Sequence, residues 1–140
     1  MCLTICHKAT KHTLSRLRKT GSIICYKVLY VDNSELSKTP NTIHSPYVYM
    51  EYKPGWNSSD RDRDTALSYL EIERKYINYG IHVYTNKRRA MTSAAYDSTN
   101  IVVPVRCYKK DFVSGGLKRE AVFTQVFLTK KNYKKAIANK

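Results

Sequence analysis

The stretch SIICYKVLYV, residues 22–31, decides the fold. Its β-branched and aromatic side chains favour an extended strand, and the turn-forming residues Gly21 on one side and Asp32-Asn33-Ser34 on the other delimit it. Apart from Ser22 and Lys27, apolar side chains occupy both faces of this segment. Because a strand that is apolar on both faces is buried on both, residues 22–31 are predicted to lie in the centre of a sheet.

Four further segments are predicted to be strands: residues 47–52 (YVYMEY), 77–84 with a bend at Gly80, 100–108 (NIVVPVRCY) and 120–128 (EAVFTQVFL). Pro104 has no N–H to donate, so the third of these is expected at a sheet edge or a bulge. Strict alternation in the last segment places one set of side chains on each face. The two sets are Ala121, Phe123, Gln125 and Phe127, and Val122, Val126 and Leu128.

The remaining periodic segments predict short helices. Asn86 is placed to cap a helix over residues 87–96, and residues 131–139 are predicted to form a short basic helix. Residues 64–76 fit a helix capped by Asp64 and also an alternating strand, and the helix is slightly favoured. Loops or turns are predicted for residues 32–45, for the segment that begins at Lys53, and for residues 111–116.

Mostly strands with two or three short helices indicate an α+β fold. The predicted architecture is a twisted, mainly antiparallel or mixed sheet, of which a half-open barrel is one version. No repeat or linker divides the chain, so residues 1–140 are predicted to be a single domain with basic segments at residues 1–20 and 129–140.

Positive charge is the strongest feature of the composition. Twenty-five Lys and Arg against eleven Asp and Glu give a net charge of +14 at pH 7, and residues 1–20 and 121–140 contain no acid. Such an excess predicts binding to a polyanion with an affinity that falls with salt, although a solubilising surface is the competing interpretation of any one cluster. The predicted contacts are Lys8, Lys11, Arg16, Arg18, Lys19, Lys87, Arg88, Arg89, Lys109, Lys110, Lys130, Lys131, Lys134 and Lys135.

Motifs of catalysis and metal binding are missing from the sequence. It has no P-loop, no Gly-x-Ser-x-Gly, no His-Glu-x-x-His and no dinucleotide fingerprint, so neither an enzyme nor a cofactor is expected. Cys25 and Cys107 lie in predicted strands and are expected to be buried, reduced thiols. A zinc site is not expected, because the two candidate ligand pairs follow each other directly, whereas a zinc finger separates its pairs by about a dozen residues. The two pairs are Cys2 with Cys6 and His7 with His12.

Membrane contact and secretion are also not expected. No run approaches the roughly 18 apolar residues that a spanning helix needs, and the N-terminus lacks the apolar stretch and cleavage site of a signal peptide. An intracellular protein is therefore predicted.

Aromatic residues support two further hypotheses. The chain has twelve Tyr, three Phe and one Trp, and such side chains can line a groove in which bases stack. The alternative function is therefore a protein that sequesters a small signalling nucleotide, as a counter-defence, in a pocket of Tyr47, Tyr49, Trp56, His82 and Tyr84. A third hypothesis is an ADP-ribosyltransferase-like enzyme that uses His82 or Tyr84 with Glu120.

Several short phrases resemble a group of small bacterial and bacteriophage proteins of unknown function. Residues 1–4 resemble the MCLT start of that group, residues 25–29 (CYKVL) its first strand, residues 44–47 (HSPY) its SPY segment, and residues 80–84 (GIHVY) its G-[FIL]-H-x-[YF] segment. Residues 102–111 resemble its next strand but lack the Pro and Gly that usually end it. The resemblance implies a phage or mobile-element setting and implies no activity.

The leading hypothesis combines the charge with this resemblance. It is a non-enzymatic phage or bacterial accessory protein that binds a polyanion, either nucleic acid or an acidic protein surface, as a structural or cargo component of a virion. Its place would be the cytoplasm of a bacterial host or a phage particle, with other virion proteins as further partners and the oligomeric state left open.

Overall fold

The computed structural model describes residues 3–32, 42–45, 50–59, 76–77 and 80–138. Over these ranges three helices pack on a nine-stranded antiparallel sheet that does not close into a barrel. The predicted α+β class is confirmed. No helix within the described ranges is long and apolar enough to cross a membrane.

Eleven strands and three helices follow one another along the described chain. Their bounds are β1 (Leu3–Thr4), α1 (His7–Thr20), β2 (Ser22–Asp32), β3 (Thr42–His44), β4 (Glu51–Tyr52), β5 (Gly55–Ser58), β6 (Tyr76–Ile77), β7 (Ile81–Tyr84), α2 (Lys87–Ala94), β8 (Asn100–Tyr108), β9 (Phe112–Gly115), β10 (Glu120–Phe123), β11 (Gln125–Leu128) and α3 (Lys130–Ala138). Single 3-10 turns at Lys109–Asp111 and Leu117–Arg119 flank β9. The strand order of the large sheet is β5-β11-β8-β2-β7-β10-β9, with β3 added to β2 and β4 added to β3.

The centre of the sheet is the antiparallel pair β2–β8. Nine residue pairs join these strands in unbroken register, from Ser22↔Tyr108 to Tyr30↔Asn100. Side chains alternate along each strand, so the register separates two faces. The core face carries the buried side chains of Ile23, Cys25, Leu29, Val103, Val105 and Cys107. The outer face carries Ile24, Tyr26, Val28, Val102, Pro104, Arg106 and Tyr108.

One hydrophobic core lies against the core face. It joins Leu17 of α1 and Ala136 of α3 with buried side chains from most strands of the large sheet, including Tyr52 and Phe123. A smaller cluster lies on the outer face, where Ala90 and Ala94 of α2 cover Val28. The outer face is therefore covered by a helix at one end only among the described elements.

Residues 1–20 were expected only as a basic segment, and most of them form α1. The helix ends at Gly21, whose φ of 77° places it in the left-handed region and whose N–H donates to the Leu17 carbonyl at 2.7 Å. It packs closely on β9, because a Cβ at Gly115 would lie 2.7 Å from the Ala9 carbonyl carbon. A side chain at Gly115 would therefore displace the helix.

Several predicted boundaries are confirmed. The central strand and the strand 100–108 are present, and α2 and α3 lie where helices were predicted. The Asn86 side chain caps α2 by accepting a hydrogen bond from the Arg89 N–H at 3.2 Å. Pro104 lies where β8 has a strand on one edge only, because within the described residues β11 pairs with β8 only at Arg106. The predictions for residues 46–49 and 64–75 lie outside the described residues.

The alternation predicted for residues 120–128 is wrong. Two strands meet at Thr124, and Ala121, Phe123, Val126 and Leu128 all face the core. The change of face arises because the Thr124 N–H leaves the strand pattern and donates to the Asp111 carbonyl at 2.8 Å. Consequently β10 pairs with β7 and β9, whereas β11 pairs with β5 and β8 on the other side of the sheet.

Three segments predicted as loops or turns contain strands. They are β3 within residues 32–45, β5 in the segment after Lys53, and β9 within residues 111–116. Each is short and is held by pairing with other strands, which local residue preferences do not show: β5 pairs with the distant β11, whereas β3 and β9 pair with strands that neighbour them in sequence.

A lysine lies in the core without a carboxylate partner among the described residues. Lys27 is 8% exposed, and its ammonium donates to the His82 carbonyl at 2.8 Å. Burial lowers the pKa of Lys27 from its usual value to about 8, because an apolar environment disfavours the charged form.

Lys27 should therefore make the protein more stable as the pH rises from about 7.5 to about 9.5. Between the lowered pKa of the folded state and the usual pKa of the unfolded state, only the unfolded chain keeps the Lys27 proton, so Lys27 adds about 2 kcal/mol to the free energy of unfolding over this range. Urea denaturation of the wild type and of Lys27→Met over this range measures the difference, since Met cannot titrate.

Lys131→Met is the matched control, because Lys131 is exposed. Its unfolding curve should follow that of the wild type at every pH. Equal pH dependence in Lys27→Met and the wild type would contradict the assignment.

Candidate nucleic-acid interface

Three aromatic side chains from three strands meet on the outer face, and we call them the aromatic cluster: Trp56 of β5, Tyr108 of β8 and Phe127 of β11. The Trp56 ring centroid lies 5.2 Å from that of Tyr108 and 5.3 Å from that of Phe127. Trp56 is nevertheless 47% exposed. The register places it there, because Trp56 pairs with Phe127, and Phe127 pairs with Arg106, two residues from Tyr108.

Cations lie directly beside these rings. The Arg106 guanidinium is exposed on the outer face and donates to the Ser22 hydroxyl at 3.0 Å, which holds it over β2 beside the exposed Ile24. The Lys110 ammonium lies 4.8 Å from the centroid of the Trp56 ring, within cation–π range. The neighbouring acid, Asp111, is 5% exposed and does not display its carboxylate on this surface.

The C-terminal end of α1 adds further positive charge at the same end of the sheet. The Lys109 N–H donates to the carbonyl of Gly21, the residue that ends α1, at 3.1 Å. The last turn of α1 carries Arg18 and Lys19, both exposed. Four basic side chains therefore lie around this junction, at the end of the sheet that carries the aromatic cluster, and of these Lys110 contacts the Trp56 ring.

A pocket of about 550 Å³ opens along the edge of β8, between α2 on the outer face and α3 on the core face. We call it the α2–α3 pocket. Its apolar wall includes Tyr26, Met91 and Pro104, and its polar lining includes Lys87, Asp97 and Lys135.

The structure distributes the predicted polyanion contacts over several surfaces. It brings Arg18 and Lys19 close to Lys109 and Lys110, and it brings Lys87 and Lys135 to the α2–α3 pocket. Arg16 is half-buried, and the others are exposed. Those on α1 are Lys8 and Lys11, those on α2 are Arg88 and Arg89, and those on α3 are Lys130, Lys131 and Lys134.

The predicted aromatic pocket is not brought together in the described residues. Trp56 on β5 and Tyr84 on β7 have three strands between them in the sheet order. His82 lies on β7 with Tyr84, whereas Tyr47 and Tyr49 lie outside the described residues. Among the described residues of this set, none of Trp56, His82 and Tyr84 lines the α2–α3 pocket.

The three residues of the transferase hypothesis are neighbours. Tyr84 pairs with Glu120, and His82 pairs with Val122, so all three side chains lie on the outer face of β7 and β10. Burial raises the pKa of Glu120, while a hydrogen bond from Tyr84 and the charge of Lys118 oppose that rise. None of the three side chains lines the α2–α3 pocket.

The cysteines divide by burial. Cys25 and Cys107 are fully buried on the core face and shielded from solvent, and burial raises the pKa of the Cys107 thiol, so this thiol is protonated. Cys6 caps α1, on which His7 and His12 are exposed. Among the residues that the structure describes, no group of three or more His, Cys, Asp or Glu side chains could hold a metal ion.

Sequence reasoning missed Arg106 and Phe127 as functional candidates. The available signal was the alternation in β8, which places Arg106 and Tyr108 on the same face as Pro104. The contact of Trp56 with Phe127 depends on the pairing of β5 with β11, which no local pattern specifies.

No family model, curated protein or solved structure matches this chain. The resemblance to small bacterial and phage proteins therefore stays a prediction. The features of the structure that bear on function are the exposed rings of the aromatic cluster, the cations near them and the α2–α3 pocket.

Proposed function

We propose that the protein binds single-stranded nucleic acid through the aromatic cluster and acts on it without catalysis. The observation that carries this proposal is the exposed Trp56 ring, packed against Tyr108 and Phe127 and bordered by Arg106 and Lys110. Stacking rings between cations are the combination by which proteins hold unpaired bases and their phosphates.

A single strand suits this surface better than a duplex does. The rings lie on a sheet face, and a base can stack on them only when its own face is uncovered, as it is in a single strand. A duplex hides its base faces and would meet only the cations.

An acidic protein surface suits it less well than nucleic acid. Arg106, Lys109 and Lys110 could pair with carboxylates, but such pairs are exposed and contribute little. The rings would then gain no partner, whereas every nucleobase offers one. The aromatic cluster thus favours nucleic acid over an acidic protein as the polyanion of this proposal.

In this proposal, phosphate contacts come from Lys110 at the Trp56 ring and from the basic side chains near the end of α1. Arg18 and Lys19 lie on the exposed end of α1, next to the Gly21–Lys109 hydrogen bond. A strand stacked on Trp56 would carry its backbone past these cations. Lys8 and Lys11 lie near the other end of α1, roughly 15 Å away at the usual rise per residue.

Replacing Trp56 with Ala should weaken the binding of a fluorescein-labelled oligo(dC) of about 12 nucleotides by roughly 5-fold to 150-fold. The loss follows from removing the stacking surface while every cation stays in place. Fluorescence anisotropy at fixed salt measures the dissociation constant, and Trp56→Phe should keep most of the affinity.

Leu117→Ala is the matched control. Leu117 is 52% exposed but lies between β9 and β10, away from the cluster. This variant should bind as the wild type does. If Trp56→Ala binds as tightly as Leu117→Ala, bases do not stack on the cluster, and a purely electrostatic partner such as an acidic protein replaces the proposal.

Arg18→Gln/Lys19→Gln should reduce the salt dependence of binding. Each phosphate contact with a single strand contributes about 0.7 to the slope of log affinity against log salt, so losing two contacts lowers the slope by about 1.4. Titrations at several salt concentrations measure it. Substitution is preferable to truncation for basic helices here, because deleting α3 would remove the buried Ala136 from the core.

Lys8→Gln/Lys11→Gln changes the net charge by the same amount at the distant end of α1. Its slope should equal that of the wild type. Equal slopes for both double variants would show that the strand does not pass the end of α1.

A further inference from the structure

We propose that the α2–α3 pocket holds one nucleotide of the bound strand and selects a base with an exocyclic amino group through Asp97. This inference rests on the proposed function, because the nucleotide belongs to the strand that stacks on the aromatic cluster. It adds a second contact site and a base preference.

The pocket and the cluster lie on one continuous surface. Tyr26 and Pro104, which line the pocket, are directly paired and follow the pair Ile24↔Arg106 on the outer face. Pairs on one face of a strand are about 7 Å apart. A strand that passes Arg106 therefore reaches the pocket within a few nucleotides.

The size and walls of the pocket suit a nucleotide. Its volume of about 550 Å³ lies within the usual range for small-molecule sites. Tyr26 offers an aromatic surface, and Met91 is a flexible apolar side chain that is 55% exposed. Pro104 has no N–H that a base would leave unsatisfied.

Opposite charges at the pocket orient the nucleotide. Lys87 and Lys135 form no ion pair with any described residue, so their ammonium groups are available to a phosphate. Asp97 repels a phosphate and attracts hydrogen-bond donors. The phosphate should therefore lie toward the lysines and the base toward Asp97.

The Asp97 carboxylate is fixed by one of its two oxygens. Its Oδ1 accepts hydrogen bonds from the Thr99 N–H at 2.9 Å and from the Thr99 hydroxyl at 2.8 Å. These bonds hold the pKa of Asp97 below its usual value, so the group stays an acceptor at neutral pH. The other oxygen, Oδ2, makes no hydrogen bond within the described chain.

An acceptor at this position distinguishes the bases. Cytosine and adenine present an exocyclic amino group that can donate to Oδ2, and guanine has one on its other edge. Thymine and uracil present a carbonyl oxygen at the position where cytosine has its amino group, and this oxygen would face the carboxylate. Cytosine should therefore be preferred over thymine, although the two pyrimidines are similar in size.

The test compares oligo(dC) and oligo(dT) of about 12 nucleotides by fluorescence anisotropy at pH 7.5. The wild type should bind oligo(dC) about 5-fold to 10-fold more tightly, as expected for one or more added hydrogen bonds. Asp97→Asn should bring the ratio close to one, because an amide can turn its N–H₂ toward the thymine oxygen while its oxygen still accepts from Thr99.

Glu51→Gln is the matched control for charge. It also removes one negative charge, but from β4, where Glu51 pairs with Lys53 at 3.4 Å. It should change both affinities equally and leave the ratio as in the wild type. Unfolding curves of both variants verify that each is folded.

The outcomes separate the two proposals. A ratio near one in the wild type, or a ratio unchanged by Asp97→Asn, overturns the pocket assignment, while a loss of affinity in Trp56→Ala for both oligonucleotides still supports strand binding. Failure of the wild type to bind either oligonucleotide overturns both proposals.

Discussion

The pairing of β2 with β8 is the constraint from which the rest of the architecture follows. Nine residue pairs in one register fix which side chains face the core and which face outward. A shift of β2 by one residue would expose Cys25 and Leu29, and a shift of β8 by one residue would bury Arg106. Since burying an unpaired guanidinium is costly, the core and the outer face enforce the same register.

The same pair determines where the two candidate binding regions lie. Near Arg106, β11 joins β8 and brings Phe127, and through it Trp56, onto the outer face. Near Pro104, β8 is no longer paired with β11, and the α2–α3 pocket lies beside it. A proline is tolerated at this point because its missing N–H removes no hydrogen bond between these strands. The aromatic cluster and the α2–α3 pocket therefore both follow from the point at which β8 stops pairing with β11.

The sequence predicts the elements whose signals are local. The central strand, the Asn86 cap and the basic helix α3 each depend on residues within about one turn or one strand of one another. Helix α1 is different, because its buried side chains are few and include Thr13, which a hydrophobic pattern does not count. Its basic residues dominate the sequence, although Gly21 gave a termination signal.

Elements and sites that depend on distant contacts are not predictable in this way. The break at Thr124 depends on the Asp111 carbonyl, and the aromatic cluster joins residues 56, 108 and 127. Trp56 was expected beside His82 and Tyr84 because all three are near aromatic segments, and sequence order does not show the strands between them. The number of positive charges can be read from the sequence. Their position relative to the aromatic rings depends on which strands pair, and the sequence does not show this.

The contact of Lys110 with Trp56 affects what binding can gain. A cation over an exposed ring stabilises that arrangement by about 0.5–1 kcal/mol, whereas a stacked base contributes about 1–3 kcal/mol. When a base takes the place of Lys110 on the ring, the net stabilisation from stacking is therefore smaller by the lost cation–π contact. The displaced ammonium stays within reach of the phosphate that accompanies the base, and this charge-assisted contact offsets the loss. In the unbound protein, the same lysine keeps the exposed ring partly covered and oriented. Lys110 thus covers an apolar ring in the unbound protein and can contact the phosphate of the ligand in the complex.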